Sequence, residues 1–196
     1  MSKKAINTVI ISDEAKSTQL LKRVFESTEY KVIFESTTLD KQLSGTWMIE
    51  PDLLIVVSRN LDASMLPQLK TINVQYPLPI VVFTKVDIDD AIAQAIEAGI
   101  SSYIVDGLHE NRIIPILKTA YVRFTHQQKL LKQLDELKTS LADRKIIDRA
   151  KGLVMQQRQC SEDDAYKLLR TSAMNQNMRL AALSKTIVEA AVLFNQ

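Results

Sequence analysis

Five strand-length apolar runs, rich in valine and isoleucine, recur along the N-terminal part of the chain at residues 8–11, 31–34, 53–57, 80–84 and 103–105. Runs this short and this β-branched suit strands covered on both faces, as in a parallel sheet flanked by helices. The gaps between them fit helices. Segment 15–27 sets Leu20, Leu21, Val24 and Phe25 on one side, and segments 39–49, 65–74, 88–98 and 111 onward fill the rest. Repeated strand–helix alternation predicts an α/β fold with a doubly wound, parallel, five-stranded sheet. Pro51, Pro77 and Pro79 fall at loop edges, where a missing amide donor costs least. Gly99 follows the end of a helical segment and is expected to cap it.

In such a sheet, chemistry collects beyond the carboxyl ends of the strands. Those ends read Ser12-Asp13-Glu14, Val57-Ser58-Arg59, Thr84-Lys85 and Asp106-Gly107. Their order over residues 5–120 resembles the receiver domain of bacterial response regulators, a flavodoxin-like fold. That resemblance places Ser12 and Asp13 at the acidic pair that holds magnesium in the family. It places Val57 at the phosphoacceptor position, Thr84 at the hydroxyl position and Asp106 where the family has lysine. Valine cannot accept a phosphoryl group, aspartate cannot make a cationic contact to phosphate, and one carboxylate is a weak magnesium site. Asp62, in the following loop, is the nearest downstream carboxylate. The expectation for residues 1–120 is a pseudo-receiver that serves docking and dimerisation, with Asp13 and Thr84 bonding loops.

The chain has 196 residues, enough for one ordinary domain and a smaller one. Charge is unevenly spread: residues 1–120 carry 12 Lys/Arg against 15 Asp/Glu, and residues 121–196 carry 13 against 8. A basic C-terminal part suits contact with a polyanion. The single cysteine, Cys160, excludes an internal disulfide and a cysteine-rich metal site. No signal peptide or membrane-length apolar stretch is evident, so a cytoplasmic protein is expected. His109 and His126 lie apart and Cys160 has no neighbouring base, so neither an enzyme nor a cofactor or metal is expected.

From 111 to 158 only Pro115 and Gly152 could interrupt a helix. Leu130, Leu134, Leu137 and Leu141 follow one another at spacings of 4, 3 and 4, which predicts a short coiled coil over 121–143 and a homodimer seam. The same stripe could instead fold back on the sheet domain.

Residues 144–196 read as three short helices around one small core. Arg144, Lys151 and Arg158 recur every seven residues and share a side of the first helix, with Lys145 and Arg149 beside them. They suit phosphates, or else a solvated face with Asp148 one turn from Arg144. Gly152 is costly inside a helix, and close packing of another helix is the expected reason, with approach of a ligand backbone the alternative. Ser161 and Asp164 form a capping box for a helix through 173. In the final helix Leu180, Leu183, Ile187, Val188, Ala191 and Val192 should face inward. Arg170, Ser172, Asn175, Asn177 and Arg179 gather around the second connection, where they suit base edges and phosphates, or turns and caps.

The run Arg149-Ala150-Lys151-Gly152, with Met155 and Arg158, Ala165-Tyr166-x-Leu168-Leu169-Arg170-x-Ser172 and Asn177, resembles the ANTAR domain over residues 137–196. Pseudo-receiver, coiled coil and ANTAR in that order resemble the antiterminators that control nitrate assimilation and aliphatic amidase expression. The resemblance implies binding to paired hairpins in leader mRNA, so that a terminator cannot form. It also implies an inhibitory, ligand-sensing partner resembling a periplasmic binding protein. The residues then expected to contact RNA are Arg144, Lys145, Arg149, Lys151, Arg158, Arg170, Ser172, Asn175, Asn177 and Arg179. A DNA-binding transcription factor and a structural adaptor working through the coiled coil are the rival readings. The acidic Asp163-Asp164 at the start of the middle helix speaks against insertion into a DNA groove.

Overall fold

The computed structural model describes residues 5–39, 50–59, 65–85 and 91–194. It comprises two compact units, Met1–Gln128 and Lys129–Gln196. In the first, strands β1 (Ile6–Ser12), β2 (Tyr30–Ser36), β3 (Leu53–Ser58), β4 (Ile80–Thr84) and β5 (Ser102–Val105) form a parallel sheet in the order β2-β1-β3-β4-β5. Helices α1 (Ala15–Phe25), α2 (Met65–Gln75), α3 (Ala91–Glu97) and the beginning of α4 (Glu110–Arg158) cover it. This is the doubly wound α/β architecture read from the alternation, with some strands a residue or two longer than the apolar runs.

Strand alternation divides the core in two. Val9, Ile11, Leu54, Val56 and Val82 pack with Leu66, Leu69 and Ile72 of α2 and Ala95 of α3. Their neighbours Ile10, Leu53, Ile55, Val57, Val81 and Phe83 pack with Leu21 and Phe25 of α1 and Ile113, Leu117 and Ala120 of α4. Full burial of Ile113 and Leu117 contributes on the order of 2 kcal/mol each. Gly99 closes α3 as expected. At φ +80° its amide donates to the Ile96 carbonyl at 2.9 Å, and the Ile100 amide donates to that of Ala95 at 2.9 Å. A side chain on Gly99 would run into Asn73, so the position admits only glycine. The helical segment expected at 39–49 falls, after Leu39, outside the described residues, as do Asp62 and residues 88–90.

α4 continues through Pro115 and Gly152 as one helix. In the second unit its last turns pack with α5 (Glu162–Asn175) and α6 (Leu180–Phe194). Ala150, Leu169 and Val188 form the centre, flanked by Ile146, Leu153, Val154, Leu180 and Ile187. Small buried side chains at Ala150, Ala165, Ala173 and Ser184 let the helices approach closely. The N-cap half of the expected capping box forms: the Ser161 hydroxyl accepts from the Asp164 amide at 3.2 Å, and it donates to the Asp164 carboxylate at 2.7 Å. Val192, expected to face inward, is instead 53% exposed, because the small core is closed by Val188 about one turn earlier and Leu183 about two and a half turns earlier.

Candidate nucleic-acid interface

Two polar constellations emerge from this scaffold, one at the strand ends of the sheet and one on the helical module. At the sheet, Ser12 is a turn-former. Its hydroxyl donates to the Glu14 carbonyl at 3.0 Å and accepts from the Glu14 amide at 3.2 Å. Asp13 accepts from Ser58 Oγ at 2.8 Å and from the Arg59 amide at 3.2 Å. Thr84 Oγ1 donates to the Arg59 carbonyl at 3.2 Å, and the Asp106 amide donates to the Thr84 carbonyl at 2.9 Å. Asp106 is exposed with φ +48°, a left-handed conformation that Asp tolerates better than most residues. The β3 side chain that faces Asp13 is therefore Ser58. Val57, at the position the resemblance gives to the phosphoacceptor, is buried and packs with Phe83, and both also line the cavity at the strand ends.

Sequence reading missed the hub of this site. Glu14 bonds Arg59 Nε at 2.6 Å, Lys85 Nζ at 2.9 Å and Ser17 Oγ at 3.1 Å. Hydrogen bonds from Lys85, Arg59 and Ser17 bring its carboxyl from the usual 4.5 down to about 2. The signal was present in Arg59 and Lys85, each following directly on a strand end, and in Glu14 two residues past another. The cations are thereby engaged within the site, over a cavity of about 270 Å³ lined by Val57, Phe83, Thr84, Gly107 and Leu108 among others. Among the described residues no three of His, Cys, Asp and Glu are gathered as a metal ion would require.

The helical module is different. Arg144, Lys145, Arg149, Arg158, Arg170, Asn175, Asn177 and Arg179 are exposed. None of Lys145, Arg149, Arg158, Arg170 and Arg179 forms an ion pair among the described residues. Lys151 stands apart. Its side chain is only 16% exposed, and its ammonium bonds Asp148 at 2.7 Å and Glu162 at 2.6 Å, which raises its pKa. It ties α4 to the start of α5, so the seven-residue stripe is interrupted at its middle member. Ser172 is half-buried. Asn177 takes φ +54° and closes α5: its amide donates to the Met174 carbonyl at 3.1 Å, and the Met178 amide to that of Ala173 at 2.9 Å. Asparagine suits that left-handed position, which gives it a structural role. Tyr166, Arg170 and Met174 recur every four residues and share an exposed face of α5, and Met178 is also exposed. The methionines were not anticipated as surface residues.

Gly152 overturns one expectation. No helix packs against it. A Cβ built there meets nothing within 4 Å, and the position is exposed. Glycine in a helix interior costs about 1 kcal/mol relative to alanine, and no contact in the module offsets that. On the adjoining stretch of α4, Leu130, Leu134, Leu137 and Leu141 are 49–63% exposed.

The N-terminal unit thus has the receiver fold with polar groups bonded to one another at the strand ends, and residues 135–188, within the C-terminal unit, match the family model described as the ANTAR domain. Among curated proteins, the chain is 25% identical to the transcriptional regulatory protein PdtaR of Mycobacterium tuberculosis, over 92% of this chain and 88% of that one. It is 33% identical over 67 residues to the nitrate regulatory protein of Klebsiella oxytoca, a stretch covering 34% of this chain and 17% of that protein. For the sheet, a response regulator from Thermotoga maritima superposes with a TM-score of 0.53 at 15% identity, over 60% of this chain and 98% of that one. The signal receiver domain of an HD-domain protein from Pseudomonas fluorescens gives 0.53 at 20% identity, over 63% and 99%. Both show the fold. Among the described residues no helix is long and apolar enough to cross a membrane.

Proposed function

We propose that this protein is a transcription antitermination regulator that binds paired RNA hairpins in a nascent leader transcript. The observation that carries the reading is the ANTAR match over 135–188 together with exposed cations on that module that have no acidic partner. RNA hairpin loops present phosphates and unstacked bases, and exposed Arg and Lys suit both. Residues 121–143 act as the seam of a homodimer. Two modules joined at that seam face two hairpins, and binding of the first raises the effective concentration of the second. The 1–120 unit is a docking platform whose site is not phosphorylated. Control comes from an inhibitory ligand-sensing partner that resembles a periplasmic binding protein, and the protein works in the cytoplasm without cofactor or metal. The two full-length and partial relatives, both named as regulators, support a regulatory rather than enzymatic role.

The test is retention of a labelled pool of tandem RNA hairpins with randomised loops, against the same sequences as duplex DNA, at two stated salt concentrations. RNA should be retained preferentially, with affinity falling as salt rises. Preference for duplex DNA would replace this reading with a DNA-binding one, and no salt-dependent retention at all would favour a protein adaptor. Incubation with a small phosphodonor and magnesium should leave the protein's mass unchanged.

A further inference from the structure

We infer that the face of α4 carrying Lys145, Arg149, Gly152 and Gln156 is where the RNA sugar-phosphate backbone lies against the module, with Gly152 as the point of closest approach. The inference rests on the RNA-binding reading and names the part of the module the ligand covers. Helical periodicity brings these four residues onto one face, and all four are exposed. Gly152 has ordinary helical backbone and open space where a side chain would be. Gly99 differs on both counts, since its φ is +80° and Asn73 blocks a side chain there. The fold therefore explains Gly99 and leaves Gly152 to be explained by something outside the chain. A missing side chain one turn beyond Arg149 and two turns beyond Lys145 leaves a notch at the end of a positive strip. Within it a phosphodiester strand can touch the helix while Lys145 and Arg149 reach its flanking phosphates, where charge-assisted bonds are short and strong. Neither cation has an ion pair among the described residues, in contrast to Lys151 on another face. A second copy of the chain fits this face poorly. A two-fold contact there would set Lys145 and Arg149 against their own duplicates.

The decisive variant is Gly152→Ala in the full chain, read with the pool of tandem RNA hairpins described above. Alanine favours the helix, so the melting temperature should stay level or rise and folding is not at risk. RNA affinity should nevertheless fall about tenfold, the scale of a methyl group forced into a close contact. The slope of affinity against salt should not change, because no charge is lost, whereas Lys145→Ala should lower that slope by about one phosphate contact. Equal RNA affinity for wild type and Gly152→Ala would overturn this inference and leave RNA binding standing. Loss of dimerisation in Gly152→Ala would show that a protein surface covers the face, and would overturn it too. If the wild type binds no RNA, the functional reading fails and this inference fails with it.

Discussion

The polar groups at the strand ends and those on the ANTAR module are built from the same residue types but disposed in opposite ways. In the receiver-type unit, Glu14 holds both Arg59 and Lys85, and Asp13 holds Ser58. Both cations meet a carboxylate inside the site, so an incoming anion would have to compete with a carboxylate already in place. On the module, Lys145, Arg149, Arg158, Arg170 and Arg179 face water without an acidic partner among the described residues. Lys151 follows the first pattern at the junction of α4 and α5, where a fixed charge is useful for holding two helices together, and Lys185 pairs more loosely with Glu189 within α6. The difference separates a site that maintains a fold from a surface disposed to receive a polyanion.

The strongest way to break that comparison is to separate the two copies of the module that the proposed homodimer would join. Leu134, in the proposed seam, is 49% exposed. Leu134→Asp places a charge where two helices would meet, and a charge that loses water without a partner opposes association. Size determination by light scattering should report a monomer. Affinity for tandem hairpins should fall about a hundredfold, the scale of lost linkage between sites, while affinity for a single hairpin stays level. A variant that remains dimeric would place the main interface elsewhere.

A smaller effect sharpens the contrast within one helix. Arg149→Ala removes a cation with no ion pair, and should weaken RNA binding about tenfold and lower the salt slope by about one, with thermal stability unchanged. Lys151→Met keeps the aliphatic stem and removes the charge that joins Asp148 to Glu162. It should lower the melting temperature and leave the salt slope as it was. If both variants behaved alike, the division between fold-maintaining and ligand-facing lysines and arginines on α4 would not hold.

How far these roles could be read from sequence depends on the range of the interaction. The strand–helix alternation and both core faces follow from period-2 and period-3.6 patterns, which are local, and the Gly99 cap and Ser161 cap follow from backbone chemistry within a few residues. Glu14 is another matter. Its partners Arg59 and Lys85 lie far away in the chain and meet it only because β1, β3 and β4 are neighbours in the sheet. Ser58 was not singled out for a related reason: which β3 side chain reaches Asp13 is set by the register of β3 against β1, and the apolar run does not reveal it. Lys151 looked like its exposed neighbours because Glu162 comes within reach only once α5 turns back on α4. Gly152 was legible as an anomaly, and the structure shows that no other helix accounts for it.

The mildest perturbation, Glu14→Gln, tests the closed half of the comparison through its pH dependence. Arg59 and Lys85 are well exposed and can return to water when the carboxylate is removed, so the melting temperature near neutrality should fall, but only by a small amount. Acid behaviour should differ. In the folded protein the Glu14 carboxyl titrates at about 2, below its usual 4.5, so the unfolded chain takes up the proton first as pH falls. Glu14 therefore contributes its full stabilisation above about pH 4.5 and loses it progressively on the way to pH 2. Glutamine has no proton to take up. Melting temperatures measured across that interval should fall less steeply for Glu14→Gln than for the wild type, and the two curves should converge at the acid end. Curves that stay parallel would mean that Glu14 is not held by Lys85 and Arg59 in solution, and that the cations at the strand ends are as available to a ligand as those on the module.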